Sequence, residues 1–297
     1  MRIGFHVSIN NSIEKAVDRA NKLNCNTFQM FTRNPRGWNV KKIPDKKSAA
    51  FIEKVNRYDM KPVYGHMPYL SNLASPRKDV YTKSIEALKI DLDRCKKLKI
   101  PYLITHLGSH LGTGKIKGFK RITEAIDTVF ETIEQQEVML LLENTAGTKN
   151  SMGSSFEDIQ QIIDHLNHPE KVGVCFDTSH AFAAGYDLRT ESIINKTIQK
   201  FNNTIGFEKL KLIHLNDSTG DLDSHIDRHE HIGLGKIGEE GFRSILRSEL
   251  GQLPLILETP KDKRRNDIEN LIKIRELANE LTPEPLKPCA TILNSGV

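Results

Sequence analysis

The sequence predicts an α/β protein folded as a single (β/α)8 TIM barrel, with a metal site at the C-terminal ends of its strands. Three observations point there. Eight short β-rich runs alternate with longer stretches of helical spacing across 297 residues, a length typical of one such barrel. Several runs are apolar at consecutive positions, as in Met139-Leu140-Leu141-Leu142, which suits parallel strands covered on both faces. No reversal point and no Gly-, Pro- or Ser-rich linker divides the chain, so a closed barrel is favoured over an open doubly wound sheet.

The first run, Ile3–Ser8, starts almost at Met1, so no signal peptide is expected. The others are Thr27–Thr32, Lys61–His66, Tyr102–His106, Val138–Glu143, Val172–Asp177, Leu210–His214 and Leu253–Glu258. Between them, Pro76–Lys97, Phe156–Leu166 and Asn266–Glu280 repeat apolar residues at three- and four-residue steps, the period of an amphipathic helix. Ser155 with Asp158 three residues later reads as a capping box opening the second of these. Trp38 is expected to pack at the start of a helix. The barrel is expected over 1–281. The segment 282–297 carries Pro283, Pro285 and Pro288, which are incompatible with a regular helix, and is expected as an irregular surface tail.

Composition narrows the function classes. Apolar content of 38% supports a sizeable core, and the formal charge of +5 is too small to establish a nucleic-acid partner alone. Four cysteines at 25, 95, 175 and 289 form no Cys-x-x-Cys pair and are too sparse for a disulfide framework. A reducing, cytoplasmic setting is expected. No apolar run approaches the roughly 20 residues of a membrane span. Gly233-Leu234-Gly235-Lys236-Ile237-Gly238 matches G-x-G-x-x-G, yet a polar loop precedes it where a dinucleotide site needs a strand; it reads as a turn into a helix over 239–250. No nucleotide cofactor is expected. Ser179-His180 and Ser109-His110 are adjacent pairs rather than triads, and no G-x-S-x-G elbow occurs, so serine hydrolysis is disfavoured. His165 and His168 lie at a helix end and read as structural.

The strand ends carry the chemistry. The third to eighth runs finish in His66, His106, Glu143, Asp177, His214 and Glu258, one ligand-type residue per βα unit at intervals of 34 to 44 residues. His180, Asp227 and His229 follow in adjoining loops. The C-terminal strand ends form the active-site face of a barrel. Carboxylates gathered there without compensation repel one another and resist desolvation, whereas cations among them make the arrangement stable. Imidazole mixed with carboxylate suits zinc or manganese, and nine candidates suffice for two or three ions.

These residues resemble those of endonuclease IV, the zinc-dependent apurinic/apyrimidinic endonucleases of base-excision repair. The resemblance runs from Met1 to about Ala278. It rests on Gly4-Phe-His-Val-Ser8, Phe31-Thr-Arg-Asn34, His106-Leu-Gly-Ser-His110, Glu143-Asn-Thr-Ala-Gly147, the run Val172–Asp187, His214-Leu-Asn-Asp217, Asp227-Arg-His229 and Leu257-Glu-Thr259. It implies a trinuclear zinc site. His66, His106 and Glu143 would hold the first ion; Glu143 would bridge to the second, completed by Asp177, His214 and Glu258; His180, Asp227 and His229 would hold the third. It also implies hydrolysis 5′ to abasic sites in duplex DNA with a 3′-hydroxyl product, with Glu258, Glu143 and Asp177 central to catalysis. Arg36, Tyr69 and Leu70 would enter the duplex at the lesion, and Asn34 would contact phosphate. The implied protein is a monomer that associates with the nucleoid when acting on DNA, with manganese possible at one or more sites. The chain departs from the family at Met67-Pro68 and Leu107, none of them ligands. A metal-dependent sugar isomerase or epimerase of the same barrel type and a non-catalytic DNA-binding module are the alternatives.

Overall fold

A computed structural model describes residues 1–133 and 137–279. In chain order the elements are β1 (Ile3–Phe5), α1 (Glu14–Lys22), β2 (Phe28–Phe31), α2 (Asp45–Arg57), β3 (Val63–His66), α3 (Lys78–Leu98), β4 (Tyr102–His106), α4 (Lys115–Thr132), β5 (Met139–Glu143), α5 (Phe156–Asp164), β6 (Val172–Asp177), α6 (Thr178–Ala183), α7 (Glu191–Thr204), β7 (Leu210–His214), β8 (Asp217–Ser218), β9 (His229–Glu230), α8 (Gly238–Arg247), β10 (Leu255–Leu257) and α9 (Asp267–Asn279). Eight strands form one parallel sheet in the order β1-β10-β7-β6-β5-β4-β3-β2. It closes through a parallel bridge between His6 and Gln29, where Val7 N–H donates to the Gln29 carbonyl at 2.8 Å. Closure brings β1 hard against the residue preceding β2: a Cβ on Gly4 would stand 1.8 Å from the Thr27 carbonyl oxygen, so only glycine fits. The single-domain barrel expected from the alternation is what forms. β8 and β9 make a separate antiparallel hairpin.

Two hydrophobic bodies hold it. The larger lies between strands and helices, with fully buried Phe28, Phe51, Phe156, Phe176 and Phe242. The smaller fills the barrel: Tyr64, Ile104, Leu141, Cys175, Leu212 and Ile256, all at 0% exposure. Strand side chains alternate faces, so the residue two positions on from each plug member also points inward. Those residues are His66, His106, Glu143, Asp177, His214 and Glu258.

Local expectations were met with small shifts. The Ser155 hydroxyl accepts from Asp158 N–H at 3.1 Å, half of the expected capping box; the Asp158 carboxylate turns instead to Lys115 at 3.0 Å. The eighth barrel strand starts at Leu255 rather than Leu253, since Pro254 has no N–H for the ladder. β1 ends at Phe5 rather than Ser8, beyond which only the His6 bridge remains. Trp38 is a correction: it sits in the loop before α2, which starts at Asp45 behind Pro44, is partly buried against the core, and lines a surface pocket with Arg33, Lys83 and Ala87. The helix expected over 239–250 ends at Arg247 and continues as a 3-10 turn at Glu249–Gln252. Cys25, Cys95 and Cys175 are buried free thiols. No described helix is long and apolar enough to cross a membrane. The tail expected over 282–297 lies outside the described residues.

Candidate metal centre

The G-x-G-x-x-G stretch behaves as a turn whose amides are already engaged. Asp217 accepts N–H groups from Ser218, Gly233, Gly235 and Ile237 at 2.8 to 3.0 Å. A Cβ on Gly235 would meet the Ser218 carbonyl oxygen at 2.4 Å. The glycines thus admit a buried carboxylate where a nucleotide site would admit phosphate. That carboxylate ties the β8–β9 hairpin, which carries His229, to the start of α8.

At the C-terminal mouth the ring converges. Potential ligand atoms of His66, His106 and Glu143 lie within 4.8 Å of one another, as do those of Glu143, Asp177, His214 and Glu258, and those of Asp177, His180 and His229. Glu143 belongs to two of these groups, and so does Asp177. Glu143 Oε2 is 3.2 Å from His66 Nε2 and 3.5 Å from His106 Nδ1, while Oε1 is 3.0 Å from His214 Nδ1. Asp227 is half-exposed on the rim, with Oδ1 3.1 Å from His180 Nε2. All nine ligand candidates therefore form one continuous cluster.

The imidazoles are aimed by their outer nitrogens. His66, His180 and His229 each donate Nδ1–H to a backbone carbonyl, of Met67 (2.6 Å), Asn144 (3.0 Å) and Glu258 (3.0 Å). A carbonyl can only accept, so each of these rings, in its neutral form, turns an Nε2 lone pair inward. His214 is reversed: Nε2–H donates to Gln29 Oε1 at 2.7 Å and Nδ1 faces the carboxylates. Lone pairs facing carboxylate oxygens repel unless positive charge lies between them. His229 Nε2 is buried without a hydrogen-bond partner among the described residues, 3.6 Å from Asp177 Oδ2. Titration follows the same field. Burial pushes His180 down, but Asp177, Asp227 and Glu143 outweigh it and raise it to about 10. Burial pushes the Glu143 carboxyl up, yet His106, His214 and His66 hold it well below the carboxylate range. Convergent lone pairs, buried carboxylates and an orphaned imidazole nitrogen fit divalent cations with mixed N and O ligands.

Neutral amides lock the carboxylates, and these the sequence reading missed. Asn216 donates to Asp177 Oδ2 at 2.7 Å and accepts Glu258 N–H at 2.8 Å. Asn144 accepts Asp177 N–H at 2.7 Å and donates to its carbonyl at 3.0 Å. Asp177 Oδ1 also caps α6 by accepting His180 N–H at 2.8 Å, which explains the three-residue spacing of that pair. His6, one residue past β1, and Gln29, inside β2, were missed too. The signal for His6 was available, since like Glu258 it follows its strand by one residue; Gln29 is uncharged and stands within an apolar run.

Beside the ring runs an open groove of about 750 Å³, lined by His6, Asn34, Arg36, Tyr69, Glu258 and Lys261 among others. Tyr69 is 64% exposed and stands edge-on to Phe31, ring centroids 5.7 Å apart. Leu70 is half-buried next to it and does not line the groove. The loop bearing Asn34 and Arg36 is anchored from below. Buried Arg33 pairs with buried Asp91 of α3 at 3.1 Å and donates to the Gly37 carbonyl at 3.2 Å, while Arg94 binds the Thr32 and Lys41 carbonyls.

The family model described as xylose isomerase-like TIM barrel matches residues 17–280. A protein of Methanoculleus marisnigri named "Probable endonuclease 4" is 52% identical over 277 residues, 93% of this chain and 98% of its own. The crystal structure of endonuclease IV from Thermus thermophilus superposes with a TM-score of 0.82 at 31% identity, covering 94% of this chain and 100% of that one. A D-tagatose 3-epimerase-like protein shares the fold at a TM-score of 0.68 and 20% identity, covering 94% and 99%.

Proposed function

The chain belongs to the endonuclease 4 family of xylose isomerase-like TIM barrels, and from that premise we propose that it hydrolyses the phosphodiester 5′ to abasic sites in duplex DNA, leaving a 3′-hydroxyl, with three zinc ions. In its coarser form this is a metal-dependent, DNA-cleaving AP endonuclease, as family membership and the ligand clusters require. The observation that carries the finer reading is the convergence of nine His, Asp and Glu side chains from six barrel strands, helix α6 and the β8–β9 hairpin, with Glu143 and Asp177 each shared between groups.

On this reading His66, His106 and Glu143 hold one ion, Glu143, Asp177, His214 and Glu258 a second, and His180, Asp227 and His229 a third, zinc at each and manganese a possible substitute. When bound, divalent cations supply a water nucleophile ionisable near neutral pH and charge neutralisation for phosphate and leaving oxygen. The chain's own contribution is rigidity. Asn216 and Asn144 fix Asp177, Gln29 fixes Glu258 and His214, and backbone carbonyls fix three imidazoles, so these ligand side chains are oriented before substrate arrives. Glu143, Asp177 and Glu258 are the carboxylates on which the geometry depends.

Damaged duplex is the partner and a monomer the working unit. Arg36 and Tyr69, exposed on the groove, and Leu70 beside them would occupy the space left by the missing base. An abasic nucleotide has lost stacking and is extruded at lower cost than a paired one. Asn34 and Lys261 would contact backbone phosphate. The epimerase alternative has only a shared fold in its favour, and an open groove studded with Arg36 and Lys261 suits a polyanion better than a small sugar. The test is a zinc-loaded enzyme and a duplex oligonucleotide with one abasic site. A nick 5′ to the lesion whose 3′ end a polymerase extends is expected; an uncut duplex bound tightly would support a binding module, and an unsaturated aldehyde at the 3′ end would overturn hydrolysis.

A further inference from the structure

Six of the eight barrel strands end in ligand candidates; the other two contribute His6, one residue past β1, and Gln29, the second residue of β2. Gln29 is clamped by two neighbours that agree on its orientation. Its Oε1 receives His214 Nε2–H at 2.7 Å, and its Nε2 donates to Glu258 Oε1 at 2.7 Å, a carboxylate oxygen that can only accept. Gln29 Nε2 also lies 2.8 Å from His6 Nδ1. With Oε1 and Nε2 so assigned, the second amide hydrogen meets His6 Nδ1, which must accept. The 3.3 Å separation of His6 Nδ1 from Glu258 Oε1 is then a contact between two acceptors that share one donor. An imidazole that accepts at Nδ1 carries its proton on Nε2.

That Nε2 is buried and has no hydrogen-bond partner among the described residues. A buried polar hydrogen left without an acceptor is destabilising and is uncommon outside functional sites. The ring packs on Phe31 at 4.3 Å, lies 6.0 Å from the His66 ring, and lines the groove together with Asn34, Arg36, Tyr69 and Glu258. It therefore stands where the groove meets the carboxylate ring.

We infer that His6 is a further catalytic residue, donating its Nε2–H to an oxygen of the scissile phosphodiester, and that Gln29 is a positioning residue that holds it in the donating tautomer. The inference rests on the endonuclease reading and adds to it a neutral donor on the side of the mouth opposite β5 and β6. The His214–Gln29–His6 chain also couples a ligand imidazole to the donor: turning Nδ1 of His214 inward orients Gln29, and Gln29 orients the His6 proton.

The test exploits side-chain shape. Glutamine places its amide nitrogen near the position of His Nε2, asparagine near that of Nδ1. With zinc-loaded protein and an abasic duplex, His6→Gln should stay within about tenfold of the parental kcat. His6→Asn should fall about 10²-fold in kcat, the loss of one preorganised donor, with zinc content by elemental analysis unchanged. Nitrogen-15 spectra of histidine-labelled protein should show His6 with hydrogen on Nε2, and Gln29→Leu should abolish that preference. If asparagine matches or exceeds glutamine, if both variants lose zinc, or if hydrogen sits on Nδ1, His6 merely buttresses the ring and the inference fails. A parental protein that does not nick the duplex fails the endonuclease reading itself, whereas a parent that nicks while the two variants rank the other way fails only this inference.

Discussion

The apolar plug of Tyr64, Ile104, Leu141, Cys175, Leu212 and Ile256 and the polar ring of His66, His106, Glu143, Asp177, His214 and Glu258 hang from the same six strands, offset by two residues. The plug needs nothing but shape; its members contact one another and bury completely. The ring is buried at four members and partly open at His106 and Glu258; it is full of charge and lone pairs, is held by hydrogen bonds from its surroundings, and would be completed by cations. One strand period thus separates a layer that stabilises the fold from a layer that the fold must stabilise. Stability and chemistry should accordingly respond to different substitutions on the same strand.

The largest break should come from the ring. Glu258→Gln keeps the shape and removes the charge; cleavage of an abasic duplex should fall at least about 10³-fold while circular dichroism stays parental. A variant that nicks at the parental rate would remove Glu258 from the mechanism. The matching cut in the plug, Leu141→Ala, should cost about 2–5 kcal/mol in denaturant unfolding through the cavity it leaves, with zinc content per folded chain unchanged. If instead it empties the metal site as thoroughly as a ligand substitution, the two layers are not separable and the comparison fails.

A finer cut goes between the layers and their surroundings. Asn216→Ala removes the donor to Asp177 Oδ2 and the acceptor of Glu258 N–H, touching neither the plug nor a ligand directly. Divalent metal affinity should drop about 10- to 100-fold, the usual cost of losing an outer hydrogen bond to a ligand, read by chelator competition. An unchanged affinity would mean the carboxylates are held by the ring alone. The smallest effect is expected in the groove. Lys261→Ala should weaken DNA binding and reduce the slope of log affinity against log salt by about one, leaving metal content and unfolding untouched. A slope equal to the parental one would take Lys261 off the phosphate path.

Why was the ring legible in the sequence, and the rest not? Histidine and carboxylate at the end of an apolar run are conspicuous, and six in succession, at Val172–Asp177 and its counterparts, define the barrel as well as the site. Residue type alone does not single out Asp227 and His229 within a charged loop; the resemblance names them, and the structure sets Asp227 against His180 and His229 beside Asp177. Gln29, Asn144 and Asn216 carry no charge, so no pattern of composition singles them out; only their hydrogen bonds reveal what they do. His6 was conspicuous in type but stood in the first β-rich run, where the ring appeared not to have begun, and its relation to Glu258 spans 252 residues of sequence. Trp38 was misjudged because aromatic packing at a helix start and in a loop look alike until Pro44 fixes where α2 begins.

Anomalous diffraction at the zinc edge, on crystals of the full chain grown with zinc, tests the central claim most directly. Three peaks inside the ring, with His66, His106 and Glu143 around one, Glu143, Asp177, His214 and Glu258 around another, and His180, Asp227 and His229 around the third, are predicted. A mouth that takes up no zinc, with the carboxylates splayed into solvent or their charge balanced by lysine and arginine, would contradict it.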